Sequence, residues 1–284
     1  MSRHGTLHPG ASVCAVVPHL ACEAWLGTAL ASLERQTRRP DAVVVIDDAS
    51  PDPAALLAVA AAHPGTTVLR ADRNVGPYAL VQAVVDLGLF DAYLFQDADD
   101  WSAPDRLAVL LATAHRTGAD LVGSWELRIL ADAGEAMPVA YPTDVNAACA
   151  ADPTAFALLH PTSLASAALL GRLGGFSTGL RFSGDAELLW RAVHAGRVVN
   201  APVLAYGRRR RAGSLTTDPA TGLGSPSRLA LHGRLHAAAR ARADAARRGG
   251  PVDLAPYLVA AEPPELAHVA GPALTTPAPV GAAR

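Results

Sequence analysis

The chain has 284 residues, half of them hydrophobic, enough to bury a full core in one α/β domain with an appendage. Its 24 basic residues, all arginine, stand against 26 acids and leave a formal charge of −2, so no global polycation draws it to nucleic acid. Without lysine, Schiff-base chemistry and a Walker-type phosphate loop are both closed to it.

Met1 to Gly10 reads as a tail without the apolar stretch of a secretory signal. Ser12–Pro18 is a valine-rich strand, and Glu23–Gln36 carries Trp25, Leu26, Leu30 and Leu33 at helical spacing. Ala42–Ile46 is the β-branched run of a strand buried on both faces, ending in Asp47-Asp48-Ala49-Ser50. A helix over Ala54–Ala62 is entered through Asp52-Pro53, an acid to cap and a proline to open the first turn. Thr66–Arg70 is a strand, Tyr78–Leu87 a helix, Ala92–Gln96 a strand and Pro104–Thr117 a helix. This alternation predicts a parallel, doubly wound sheet, with ligands beyond the carboxyl ends of its strands. Leu121–Leu130 adds a strand, and the polar stretch Ala131–Pro153 reads as a loop or lid near the site. Order resumes over Thr162–Leu170, followed by a turn at Gly174-Gly175-Phe176, a helix over Asp185–Ala195 and a strand over Arg197–Tyr206. Beyond Asp218 the composition shifts. Ser225–Arg248 is an Ala/Arg-rich helix with a leucine stripe, and Pro264–Arg284 reads as a disordered Pro/Ala-rich tail.

Cys14, Cys22 and Cys149 form no CxxC pair, which speaks against a disulfide framework or zinc knuckle and suits a reducing cytoplasm, the expected location. The apolar run Ala54–Ala62 falls far short of the roughly 18 residues a membrane-spanning helix needs, which leaves peripheral contact with a membrane open. His232 and His236 are four apart on the last helix but lack a third ligand, so surface histidines are expected there.

Chemistry concentrates in Gln96-Asp97-Ala98-Asp99-Asp100-Trp101, where a strand ends in three acids out of four residues. Such crowding calls for a hard divalent cation, Mg²⁺ or Mn²⁺, shared with phosphate oxygens. The plainer reading, that Asp99, Asp100 and Ser102 cap the next helix, accounts for one acid and not for the pair Asp97 and Asp99.

With Asp47-Asp48-Ala49-Ser50, Asn74-Val75-Gly76 and Asp97-Ala98-Asp99-Asp100 in order, the chain resembles family 2 glycosyltransferases of the GT-A fold. Gly174-Gly175-Phe176, Gly184-Asp185 and Gly213-Ser214-Leu215-Thr216 extend the resemblance over about residues 12 to 217. It implies a Rossmann-like GT-A domain over residues 11–217, with a mostly parallel central sheet flanked by helices. The tail 1–10 precedes that domain, and a C-terminal helical appendage with its Pro/Ala-rich tail, 218–284, follows it. It also implies an inverting transfer of a sugar from a nucleotide-diphosphate donor, UDP-linked by default, to a hydroxyl of a glycan, lipid-linked or small-molecule acceptor. Asp185 would be the general base. Asp99 would ligate the metal, with Asp97 beside it reaching the donor, and Pro18, Leu20, Asp48 and Asn74 would also contact the donor, Asp48 at the nucleobase.

Three departures qualify that pattern. Pro18-His19-Leu20-Ala21 lacks the aromatic platform usual under the base, and Val81 and Gln82 stand where Arg and Asn are common. Arg211, at the end of Arg208-Arg209-Arg210-Arg211, replaces a metal-binding histidine; since guanidinium cannot ligate a cation, Arg211 or a neighbour in that run is expected to grip the diphosphate directly. These departures favour, as the alternative, a degenerate module that binds sugar nucleotide or glycan without turnover. A nucleotidyltransferase is a third reading, but Leu20-Ala21-Cys22-Glu23 is no glycine-rich phosphate loop.

Overall fold

The computed structural model describes residues 7–130 and 134–277. The first six residues of the expected tail, residues 131–133 of the expected loop and residues 278–284 lie outside the described residues.

The first half follows the alternation read from the sequence: β1 (Val13–His19), α1 (Glu23–Glu34), β2 (Ala42–Asp47), α2 (Pro53–Ala61), β3 (Thr66–Ala71), α3 (Pro77–Val85) and β4 (Ala92–Phe95). β1 shows why continuous apolar runs suit such a sheet. Cys14 and Val16 enter the core on one face, whereas Val13, Ala15 and Val17 enter the core on the other. The Asp52 carboxylate accepts from the N–H groups of Ala54 and Ala55 at 3.0 and 3.3 Å, a cap of the kind that contributes about 1 kcal/mol.

The second half comprises β5 (Trp101–Ser102), α4 (Arg106–Thr117), β6 (Leu121–Leu130), β7 (Glu135–Val139), α5 (Val145–Ala151), a 3₁₀ turn (His160–Thr162), β8 (Leu164–Ser166), α6 (Ala167–Arg172), α7 (Gly184–Ala195), β9 (Val198–Arg210), α8 (Pro226–Arg247) and β10 (Leu266–Ala270). The strands form one sheet in the order β10-β3-β2-β1-β4-β8-β6-β9-β5, with β7 paired to β6. β3, β2, β1 and β4 are parallel, as are β6 and β9; β8, β5, β7 and β10 pair antiparallel. The result is a mixed α/β sheet flanked by helices, with a long C-terminal helix.

Two expectations are corrected. The stretch read as a lid holds β7, a hairpin partner of β6, and α5, whose first turn is capped by the Asp144 carboxylate on the Ala147 N–H at 2.9 Å. Val145 and Cys149 bury in the core, and no described residue of the stretch lines the cleft described below. A helix of seven residues is too short to print a period. The second correction is at the C-terminus, where Leu266–Ala270 of the expected disordered tail pairs with β3 as an edge strand.

α8 packs through its leucine stripe, and His232 and His236, expected at the surface, are half-buried against Ser183 and Trp190. Leu231, Leu235 and Ala239 join the same core as Phe95, Phe176 and Trp190, each buried leucine contributing about 2 kcal/mol, while Leu229 faces solvent. Arg228 and Arg242 are buried with them. Beneath α8, the fully buried Arg191 forms a bidentate pair with Glu187, both contacts 2.7 Å, and donates to the carbonyls of Leu173, Gly175 and Leu254. That network fixes the turn ending in Phe176. A Cβ at Gly175 (φ +79°) would lie 2.2 Å from the Gln82 amide oxygen, which itself accepts from the Phe176 N–H at 2.8 Å.

Candidate active site

Parallel pairing of β1 with β2 ends in register at His19 and Asp47. The buried Asp47 carboxylate receives His19 Nδ1 at 3.1 Å, the Ser50 N–H and the Arg70 guanidinium. His19 Nε2 accepts from the Cys22 N–H at 3.2 Å, which assigns the proton to Nδ1. Burial alone would raise the Asp47 pKa, but the hydrogen bonds from His19 and Ser50 and the Arg70 charge outweigh it and hold the carboxyl below its usual range. A carboxylate with a depressed folded-state pKa stabilises the fold above its unfolded pKa and loses that contribution as pH falls through the folded value. Arg70→Gln raises the Asp47 pKa, so its acid-unfolding midpoint is expected at higher pH than wild type by circular dichroism; equal midpoints would remove Arg70 from this role.

Asp48, expected at the nucleobase, lies at the edge of the same cleft, with its oxygens accepting from the Val75 and Gly76 N–H groups at 2.7 and 2.9 Å. It thus clamps the turn that opens α3, and its pKa is raised, by burial first. Asn74, expected to touch the donor, does not line the cleft. It is exposed, donates to the Asp48 carbonyl and accepts from Arg181 at 2.7 Å. Asn74 therefore shapes the turn from outside.

The three acids after β4 take three different jobs. Asp100 is buried and accepts the Arg209 N–H at 2.6 Å, tying the loop to β9, and burial raises its pKa well above the usual range. Asp99 Oδ2 pairs with Arg211 Nε at 2.8 Å. Asp97 keeps solvent contact through the cleft mouth, and its carboxylate has no hydrogen-bond partner among the described residues. Water displaced by the surrounding walls, and next the Asp99 charge, push its pKa up to about 7. None of the three caps α4. The cap position belongs to Asp105, while Ser102 Oγ donates to Gln96 Oε1 at 2.8 Å and accepts from the buried Arg106, also at 2.8 Å.

Arg211, expected on a diphosphate, is held against Asp99. Its guanidinium lies 4.2 Å from the Trp25 ring centroid, and Nη2 is 3.0 Å from Cys22 Sγ. Cys22 is thus more than core filling, although burial pushes its thiol pKa up to about 11 and keeps it protonated.

The opposite wall is built by the start of α7. Asp185 Oδ1 accepts from the buried Tyr78 hydroxyl at 3.0 Å, and a Cβ at Gly184 would lie 2.7 Å from the Tyr78 ring. The aromatic ring on α3 thereby explains why glycine precedes Asp185. Ser183, a non-glycine residue at φ +65°, is buried with its Oγ 2.7 Å from His232 Nε2 of α8. A residue held in that left-handed region needs support from its surroundings, and His232 supplies part of it. His160, beneath, stacks on Phe95 at 4.1 Å; burial lowers its pKa to about 4, so it is a neutral wall at pH 7.

These groups face one cleft of about 530 Å³. Pro18, Leu20, Asp48, Asp97, Asp99, Asp185 and Arg211 line it together; Asn74 does not. Arg208 and Arg209 of the expected arginine run line it as well, whereas sequence reasoning missed Arg181 and Arg228, since the turn and α8 that carry them meet only in the fold. Among the described residues, no cluster of three or more His, Cys, Asp or Glu side chains forms a ready-made metal cage. The cleft acids do fit a hard dication that takes its remaining ligands from phosphate and water, because Asp97 is unbonded and Asp99 Oδ1 is not engaged.

Residues 14–139 match the sequence model of glycosyl transferase family 2. Among solved structures, the chain is similar to S. aureus TarS 1–349 in complex with UDP, with 19% identity and a TM-score of 0.61 over 80% of this chain and 65% of that one. It is also similar to TarS 1–349 in complex with UDP-GlcNAc, at 20% identity and TM-score 0.59, covering 72% of this chain and 60% of that one. The mannosyltransferase PcManGT of Pyrobaculum calidifontis, in complex with GDP-Man and Mn²⁺, matches at 20% identity and TM-score 0.57 over 88% of this chain and 68% of that one. No curated protein sequence matches the chain. At these identities the likeness shows a GT-A-like fold.

Proposed function

We propose, from the match of residues 14–139 to the glycosyl transferase family 2 model and the GT-A-like fold, that the chain moves a sugar, of hexose type, from a nucleotide-diphosphate donor to a hydroxyl acceptor with inversion. The observation carrying this reading is the placement of Asp97 and Asp99 on one wall of the cleft and Asp185 on the other. UDP- and GDP-sugars are the donors to test, because similar folds hold UDP, UDP-GlcNAc and GDP-Man.

In this reading the donor diphosphate lies along Asp97 and Asp99, with Arg208 and Arg211 close by. Asp99 and Asp97 would hold Mn²⁺ or Mg²⁺, whose positive charge would stabilise the departing diphosphate. Asp185, oriented by Tyr78, takes the proton of the acceptor hydroxyl. The freed oxygen forms the new bond to the anomeric carbon as the carbon–oxygen bond to the diphosphate breaks, its electron pair leaving with the nucleotide. One base and one displacement give inversion. Asp48 and the turn it clamps border the place of the base, with Leu20 at the cleft rim instead of an aromatic platform.

The test is release of UDP or GDP from the corresponding sugars, with Mn²⁺ or with chelator, for wild type and Asp99→Ala. Release is expected to need metal and to fall about 10²-fold or more in Asp99→Ala, on the scale of losing one electrostatic contact to the developing charge. Turnover surviving both chelation and the substitution would exclude the metal-assisted route. Nucleotide binding without release from any donor would favour the non-catalytic module.

A further inference from the structure

Among the described residues four arginines are more than nine-tenths buried. Arg191 and Arg242 share the Glu187 carboxylate, and Arg106 is enclosed by Gln96, Ser102 and the carbonyls of Phe95 and Pro161. Arg228 differs from all three, because it lines the cleft. Its Nε and Nη2 donate to the carbonyls of Thr221 and Leu215 at 2.6 and 2.9 Å, and its guanidinium lies 4.6 Å from the Phe182 ring centroid. Among the described residues no carboxylate comes within 4.0 Å of it, and Nη1 donates to no protein group.

Burial lowers the pKa of Arg228, and the Asp185 charge that acts on it from beyond hydrogen-bond reach offsets that cost only in part. The carbonyl bonds and the aromatic ring fix the plane of the fork and leave one edge unspent. One turn further along α8, His232 holds Ser183, so the helix is pinned to the wall that carries Asp185. Arg228 is thus positioned in advance, next to the carboxylate that faces the acceptor and not beside the acids that face the donor.

We infer that Arg228 binds an oxyanion on the acceptor, so that the acceptor is an anionic hydroxyl compound, phosphorylated or carboxylated, rather than a neutral sugar. This rests on the reading of Asp185 as the acceptor's base. The planar guanidinium suits a phosphate or carboxylate, and the anion supplies at hydrogen-bond distance a charge that Asp185 supplies only from further away. The helix supplying this contact lies beyond residues 14–139, where the family match ends.

Calorimetry on the full chain tests the inference, with glycerol 3-phosphate and glycerol as probes, added to the protein with Mn²⁺ and whichever of UDP or GDP it binds. Wild type is expected to bind glycerol 3-phosphate at least about tenfold tighter than glycerol, a preference that drops below about threefold in Arg228→Gln and is partly kept in Arg228→Lys. Nucleotide affinity should be equal in all three proteins, which also reports an intact cleft. Equal binding of the two probes by wild type, or a preference surviving in Arg228→Gln, would overturn the inference. So would weakened nucleotide binding in Arg228→Gln with the probe preference unchanged, which would put the arginine on the donor. A wild type that binds neither nucleotide yet shows the Arg228-dependent preference would support the oxyanion site and count against the donor reading alone.

Discussion

Asp185→Asn is expected to lower the rate of sugar transfer by about 10²- to 10⁴-fold while leaving nucleotide affinity unchanged, the range for loss of a general base. The substitution is nearly isosteric, and the amide oxygen can still accept from the Tyr78 hydroxyl that Asp185 Oδ1 accepts from now. Geometry is therefore preserved and only proton acceptance is lost. Steady-state transfer kinetics beside calorimetric UDP or GDP binding separate the two effects. A loss smaller than about tenfold would move the base elsewhere, whereas a parallel loss of nucleotide affinity would make Asp185 part of the donor site.

Glu187→Gln is expected to cost about 3–5 kcal/mol, because it leaves Arg191 charged and fully buried with carbonyls as its only strong acceptors. In thermal unfolding this corresponds to a fall in Tm on the order of 10 °C. Arg242→Ala should cost less, since Arg242 meets Glu187 at 3.5 Å and Glu187 keeps its bidentate partner without it. If Glu187→Gln unfolded within about 1 kcal/mol of wild type, the pair would not be what holds the Phe176 turn and the start of α7 in place.

The first half of the molecule was legible because its elements are local. Valine-rich runs at β1 and β2, the Asp52-Pro53 helix entry and the alternation up to β4 each announce themselves within a few residues, and all are found. The antiparallel partners were not legible for the same reason. β8, β5 and β10 have three, two and five residues, and their pairing depends on which edge is exposed once the parallel strands have formed. α5 and β7 were hidden in a polar stretch whose few buried residues, Val145 and Cys149, carry no period.

At the site the order of the motifs singled out carboxylates that line one cleft, but not what each of them meets. Asp97, Asp99 and Asp100 look equivalent in a row of four residues. The fold separates them by what each meets: cleft solvent for Asp97, Arg211 for Asp99 and the Arg209 backbone for Asp100. Arg211 stood out because it occupies a position where histidine is usual, yet its partners Trp25 and Cys22 lie nearly 190 residues away in sequence. That glycine must stand at 184 was equally hidden, because the Tyr78 ring that occupies the space a side chain would need comes from a distant helix.

The sequence by itself determined the strands and helices of the first half, the absence of lysine chemistry, and the acids that end β2 and β4, because period, capping and charge crowding are properties of neighbours along the chain. Only the tertiary structure decided that α8 is a wall of the cleft, that Arg228 is buried there without a carboxylate, and that Asp99 is already paired. Burial and counter-charge depend on which distant segments meet, and that is settled when the sheet closes its two cores.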